Sequence, residues 1–138
     1  METLERFGVS MPAELLRSFD GAIAQAGYAN RSEAIRDIVR DYLVRQQWAA
    51  PRARVVGTIT LVYDHHTREI EDTLTALQHD FGAAIVCSTH VHLDHDHCLE
   101  VIVVRGRSHE VKAIADRLLS TRGVKHGGLT ATAAEDAH

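Results

Sequence analysis

From Thr89 to Glu100 the chain reads THVHLDHDHCLE, a dense run of side chains able to bind a metal ion. In a strand, side chains alternate across the pleat, so His90 and His92 stand on one face. If Asp94, His95 and Asp96 form a short turn, Leu93 pairs with His97, His92 with Cys98 and His90 with Glu100. Directly opposed residues of an antiparallel pair share a face, which brings two imidazoles, a thiolate and a carboxylate within reach of one transition-metal ion. The spacing matches no common zinc-finger pattern. A plainer reading, in which Asp94, His95, Asp96 and His97 are a solvated, histidine-rich tip, stands beside it.

Cys87 has the opposite parity and falls with Ala83, Ile85, Thr89, Val91 and Leu93 on a mostly apolar face. There it is expected as a small buried hydrophobe, with Cys98 alone among the ligands. Two cysteines in different environments make no disulfide framework and suit a reducing cytoplasm. The formal net charge of -4 does not advertise a nucleic-acid binder, so any DNA contact must be local. No apolar run approaches a membrane span, and METLERFGVS lacks the basic and apolar regions of a signal peptide.

The first fifty residues hold three elements. Arg6 to Met11 alternate polar and apolar, the pattern of a short half-buried strand whose polar face is Arg6, Gly8 and Ser10. Pro12 falls in the first turn of a helix carrying Leu15, Leu16, Phe19, Ala22, Ile23 and Ala26, which Gly27 ends. Asn30 and Glu33 have N-cap and N3 spacing for a second helix with an apolar stripe of Ala34, Ile35, Ile38, Val39, Tyr42 and Leu43. So small a unit cannot bury enough surface alone, and its lone strand is expected to pair with a twin. Such two-stranded ribbons enter the major groove and read base edges with their outward side chains. A helical dimerisation module whose strand reads nothing is the alternative.

Residues 49–54, AAPRAR, read as a linker between a domain at 1–48 and one at 55–138. The second domain patterns as a strand over 55–63, a helix over 67–78, the two hairpin strands, a helix over 108–120 and a last strand over 124–131. This βαββαβ order is the split ferredoxin-like motif. Both helices should cover one sheet face, expected to be that of Leu93, Val101 and Val103. The other face would then carry Val86, His90, His92, Cys98, Ile102 and Val104 and, being partly apolar, would pack against another subunit.

RFGVSM, the run GYANRSEAIRDIVR from Gly27 to Arg40 and the HVHLDHDHC hairpin, in this order, resemble the nickel-responsive transcriptional regulators (NikR) over nearly the whole chain. The resemblance implies an α+β protein, a ribbon-helix-helix domain followed by an ACT-like domain. It implies a homotetramer, a dimer of dimers, that binds a palindromic operator in double-stranded DNA and represses nickel-uptake or related genes when Ni(II) is bound. One Ni(II) per subunit would be held by His90, His92 and Cys98, with His79 supplied by the neighbouring chain; read alone, His79 is a histidine favoured at a helix C-terminus. Glu100 would accept a hydrogen bond that orients an imidazole, or be a surface carboxylate. Three imidazoles and a thiolate suit a square-planar d⁸ ion, although Cu(II) should bind the same ligands at least as tightly.

The same resemblance assigns Glu33 and Asp37 to a second, hard-cation site for K(+), where the sequence alone prefers a solvated helix face. It carries Arg6 and Ser10 over as DNA contacts, while Gly8 departs from the small hydroxyl residue common in the family. Arg31 and Arg36 are expected phosphate contacts near a helix N-terminus. Tyr63 and His65 match positions linked to the metal region, His65 or His126 would take excess metal, and His66, His95, His97 and His109 are left as non-ligands. An enzyme is disfavoured, because four protein ligands leave little open coordination and no nucleophile-base pair appears elsewhere. The remaining alternative is a nickel buffer or chaperone that binds metal without DNA.

Overall fold

A computed structural model describes residues 2–133. The chain divides between Val39 and Arg40 into two compact units. In the first, α1 (Ala13–Gln25) begins with Pro12 as its N-cap rather than inside its first turn, and ends before Gly27, whose φ of 90° is the left-handed conformation that glycine adopts without penalty. Asn30 Oδ1 accepts the Glu33 amide at 2.9 Å and so caps α2 (Arg31–Ala49). Glu33 reaches back one residue further than a capping box requires, accepting from the Ala29 amide at 3.4 Å.

Ala34 is the fully buried residue of this unit, with Leu16, Phe19, Ile23 and Ile35 half-buried. The expected strand over 6–11 has no ladder among the described residues. Residues 2–12 carry no regular secondary structure and are exposed, and Phe7 and Val9 keep 76% and 66% of their surfaces in water. The apolar residues of the alternation are thus left uncovered.

The second unit contains β1 (Arg54–Asp64), α3 (Ile70–Phe81), β2 (Ile85–His92), β3 (His97–Arg107), α4 (Ser108–Leu119) and β4 (Val124–Thr132). The strands form one antiparallel sheet in the order β2-β3-β1-β4, the ferredoxin-like arrangement. The helix expected from residue 67 starts at Ile70, because Glu69 takes a left-handed φ of 64°. Ile59, Leu61 and Tyr63 of β1 and Cys98, Ile102 and Val104 of β3 pack with Ile70, Leu74, Val111, Ala115 and Leu118 of the helices. The end of α2 is tied to the same unit. Trp48 is buried, its Nε1 donates to the Thr132 carbonyl at 2.8 Å, and its own carbonyl accepts from Ser108 Oγ and Lys112 Nζ.

Three expectations about the sheet are corrected. The helices cover the face of Cys98, Glu100, Ile102 and Val104, so Leu99, Val101 and Val103 lie half-buried on the open side. A β-bulge between Ile85 and Cys87 reverses the parity of the strand, so that Ile85 opposes Val104 and packs on the core while Val86 stays 49% exposed. Cys87 opposes Val103 on the open face and is exposed, not a buried hydrophobe.

Candidate metal centre

The hairpin sets the site. Its three-residue turn is closed by Leu93 N donating to the His97 carbonyl at 3.0 Å, and Asp94 Oδ1 accepts the amides of Asp96 and His97 at 2.8 Å each. These bonds, with the His97 imidazole 3.0 Å away, hold the Asp94 carboxyl below its usual range. From that turn the ladder runs back with His92 opposite Cys98 and His90 opposite Glu100, the pairing the turn predicts. On the other side of β3, Tyr63 opposes Cys98 and Leu61 opposes Glu100. One row across three strands is therefore His92, Cys98, Tyr63, and the next is His90, Glu100, Leu61.

Cys98 Sγ lies 3.7 Å from His92 Nδ1, and the rings of His90 and His92 are 5.7 Å apart. Tyr63 Oη and His90 Nδ1 are 3.1 Å apart. Cys98 and Tyr63 are buried and the two histidines exposed, so the thiol forms the floor of the site and the imidazoles its rim. Burial pushes the Cys98 thiol up, with a hydrogen bond from Tyr63 acting against it. Burial also raises the Tyr63 phenol, and the neighbouring Cys98, Glu71 and Glu100 charges add to the effect, so Tyr63 stays protonated. It orients and donates.

The loop after β1 brings in His65, which the family resemblance linked to the metal region and which was otherwise expected to take excess metal. His65 Nδ1 stands 3.8 Å from Cys98 Sγ and 3.3 Å from Glu71 Oε1, and its ring is 5.2 Å from that of His92. One donor atom from each of His65, His92 and Cys98 falls within 4.8 Å of the others, and the same holds for Glu71, His90 and Cys98. Glu71 was not singled out in the sequence, where it reads as an ordinary first-turn acid of a helix. Neutral imidazoles around a buried thiol, which becomes thiolate when metal displaces its proton, form a donor set for borderline-soft divalent transition ions.

Glu100 faces this site but is only 8% exposed, and its Oε2 accepts from Gln78 Nε2 at 2.9 Å rather than from an imidazole. Gln78 is a further residue the sequence did not flag. His79 is exposed in the last turn of α3 and belongs to none of these clusters.

The remaining expected residues belong to the first unit. Arg6, Gly8 and Ser10 are exposed on the segment before Pro12, and Arg36 is exposed on α2. Arg31, expected at a phosphate, makes a two-pronged ion pair with Asp20, both bonds 2.8 Å. Glu33 and Asp37 hold no cluster with a third metal-capable side chain among the described residues; Asp37 Oδ2 accepts from Tyr28 Oη at 2.8 Å. No helix among the described residues is long and apolar enough to cross a membrane.

Comparison with known proteins agrees with this division of labour. The family "NikR C terminal nickel binding domain" matches residues 56–132, and "Ribbon-helix-helix protein, copG family" matches residues 5–46. A relative from Solibacter usitatus named "Putative nickel-responsive regulator" is 58% identical over 96% of this chain and 95% of its own. One of the same name from Pyrococcus furiosus is 56% identical over 92% of each chain. The solved structure of an uncharacterized protein from Thermotoga maritima shares the fold, with a TM-score of 0.51 at 14% identity, over 56% of this chain and 96% of that one. With a ribbon-helix-helix domain ahead of a nickel-binding domain, and more than half its residues shared with such regulators along nearly its whole length, the chain belongs to the nickel-responsive regulator family and is a regulator, not an enzyme.

Proposed function

We propose that this regulator represses nickel-uptake or related genes in the cytoplasm when Ni(II) is bound, acting as a homotetramer on a palindromic operator. The observation that carries the reading is the convergence of His90, His92 and Cys98 at one end of a sheet face, in a chain that also has a ribbon-helix-helix domain. In this reading residues 1–48 read DNA, 49–54 link, and 55–138 sense metal and assemble the tetramer. His90, His92 and Cys98 hold one Ni(II) per subunit, with His79 from a neighbouring subunit as the fourth ligand. The exposure of His79 and its separation from the triad within one chain support that role. Bound nickel supplies a fixed coordination geometry that ties these side chains together. Tyr63 orients His90, and Gln78 holds Glu100 beside it.

Arg6 and Ser10 contact the operator from the ribbon, with Gly8 allowing close approach, and Arg31 and Arg36 reach phosphates. Arg31 must exchange its Asp20 partner for a phosphate to do so. Glu33 and Asp37 take K(+) at a second site. Copper competes for the same ligands, so nickel selectivity rests on availability and on which coordination geometry favours DNA binding.

A gel-shift titration of the chain's own upstream region, with and without Ni(II), tests the proposal. Nickel-dependent retardation is expected. By linkage, operator DNA must then tighten nickel binding by the same factor that nickel tightens DNA binding. DNA affinity indifferent to nickel would refute the regulatory reading and favour a metal buffer.

A further inference from the structure

Residues 49–54 pattern as a link, yet the segment is fastened to the metal-binding unit at almost every step. Ser108 N and His109 N, at the start of α4, donate to the carbonyls of Ala53 at 2.8 Å and Pro51 at 3.0 Å. Arg107 Nη1 donates to the Arg52 carbonyl at 2.7 Å, and Gln47 Nε2 to that of Arg54 at 2.8 Å.

Trp48 pins the helix end above this strap. Its ring is 5% exposed and its Nε1 donates to the Thr132 carbonyl at 2.8 Å. The last carbonyls of a helix lack partners within it, and the Trp48 carbonyl takes its two from α4, the hydroxyl of the fully buried Ser108 and Lys112 Nζ at 2.9 Å. Gly57 makes room for the ring, since a Cβ there would stand 2.9 Å from Trp48 Cη2. Helix α2 itself runs unbroken from Arg31 to Ala49, past the boundary between the units at Val39 and Arg40.

From these contacts we infer that Trp48, Ser108 and Lys112 are positioning residues for regulation. They lock the last turn of α2 and residues 50–54 into the metal-binding unit, so that a change at the metal centre reaches the DNA-reading unit through α2 itself. The physical contrast is with a free tether of six residues, whose ends wander over roughly 13 Å and would dissipate any small shift. Packed side chains and a continuous helix carry it instead. The role presupposes that nickel and operator binding are coupled, as in the proposed function.

Trp48 is the chain's sole tryptophan, so its emission reports the pin directly. In the full chain without metal, with Ni(II), and with Ni(II) and the upstream DNA, emission should stay at short wavelength and resist acrylamide quenching. Red-shifted, quencher-accessible emission in any of the three states would overturn the lock. Lys112→Met keeps the aliphatic stem and removes one bond to the Trp48 carbonyl. The factor by which nickel tightens DNA binding should then fall roughly fivefold, the share of one hydrogen bond, with the thiolate-to-nickel absorption and nickel affinity without DNA unaltered. Lys112→Arg, which retains a cationic donor, should restore the factor. A wild-type factor in Lys112→Met, or equal weakening of DNA binding with and without nickel, would refute the positioning role. Failure of the regulatory reading is seen separately, as a wild-type chain whose DNA affinity ignores nickel; the positioning role falls with it, and quenching alone then decides the lock.

Discussion

Tyr63→Phe removes one oxygen atom from the wall of the metal centre and little else. Tyr63 is 1% exposed, and phenylalanine fills the same volume, so packing is preserved. Two interactions are lost, the 3.1 Å contact with His90 Nδ1 and the hydrogen bond that lowers the Cys98 thiol against the effect of its burial. The first is a neutral hydrogen bond to an exposed ring that water can replace, worth about 1 kcal/mol; the second supports a thiolate and is worth about 1.5 kcal/mol. The first is made with and without metal and cancels from the affinity, so nickel binding weakens by about 1.5 kcal/mol, roughly tenfold, while metal-free stability changes by no more than about 1 kcal/mol. Competition against a chelator at several pH values gives the affinity, and urea unfolding of the metal-free protein gives the stability. The variant's binding should also require higher pH, since its thiol is harder to deprotonate. Nickel affinity within about twofold of wild type would refute the reasoning and turn Tyr63 into a core residue with an incidental hydroxyl.

Cys98→Ser is expected to lose the thiolate-to-metal absorption and tight nickel binding, whereas Cys87→Ser keeps both; equal loss in the two would refute the register that puts Cys98, and not Cys87, on the ligand face. Neither His79→Ala nor Cys98→Ala should form intact sites alone, but co-expressed with different tags, their hetero-oligomer should recover nickel binding at up to one site per mixed interface. Recovery of none, with the oligomer intact, would return His79 to a helix-end role. Arg6→Ala should cripple operator binding in a filter or gel assay while leaving nickel affinity near wild type, and normal DNA affinity would remove the ribbon from the groove. Without metal, the Cys98 thiol holds its proton more tightly folded than unfolded, so its contribution to stability is complete below its ordinary value of 9.0 and is lost as pH rises above it towards the folded-state value. Urea midpoints measured from about pH 8 to 10 should fall in the wild type and flatten in Cys98→Ser.

The hairpin was legible because its information is local. A turn length and a period of two suffice to place His92 opposite Cys98 and His90 opposite Glu100. Which side the helices take was not legible, because β3 is apolar on both faces: Leu99, Val101 and Val103 alternate with Cys98, Ile102 and Val104. Parity says which residues share a face and nothing about which face is covered. Cys87 was misjudged for the same reason. His65, Glu71 and Gln78 reach the site through a loop and a helix whose docking is decided by tertiary packing, so no spacing in the sequence announces them. The alternation over 6–11 is plain in the sequence, yet among the described residues no ladder forms there.

The bulge between Ile85 and Cys87 has a consequence for how the sensor strand can change over generations. Pairing from Cys87 onward is indexed from the turn at Asp94, while Ile85 is seated on the core, and the extra residue between them absorbs the mismatch. Loss of Val86 would close the bulge into a regular ladder with Ile85 still opposite Val104 and His92 still opposite Cys98. The connection from α3 can thus vary in length by a residue without turning either imidazole off the metal. A lineage is free to drift there, where the same change in an unbulged strand would turn Ile85 off the core.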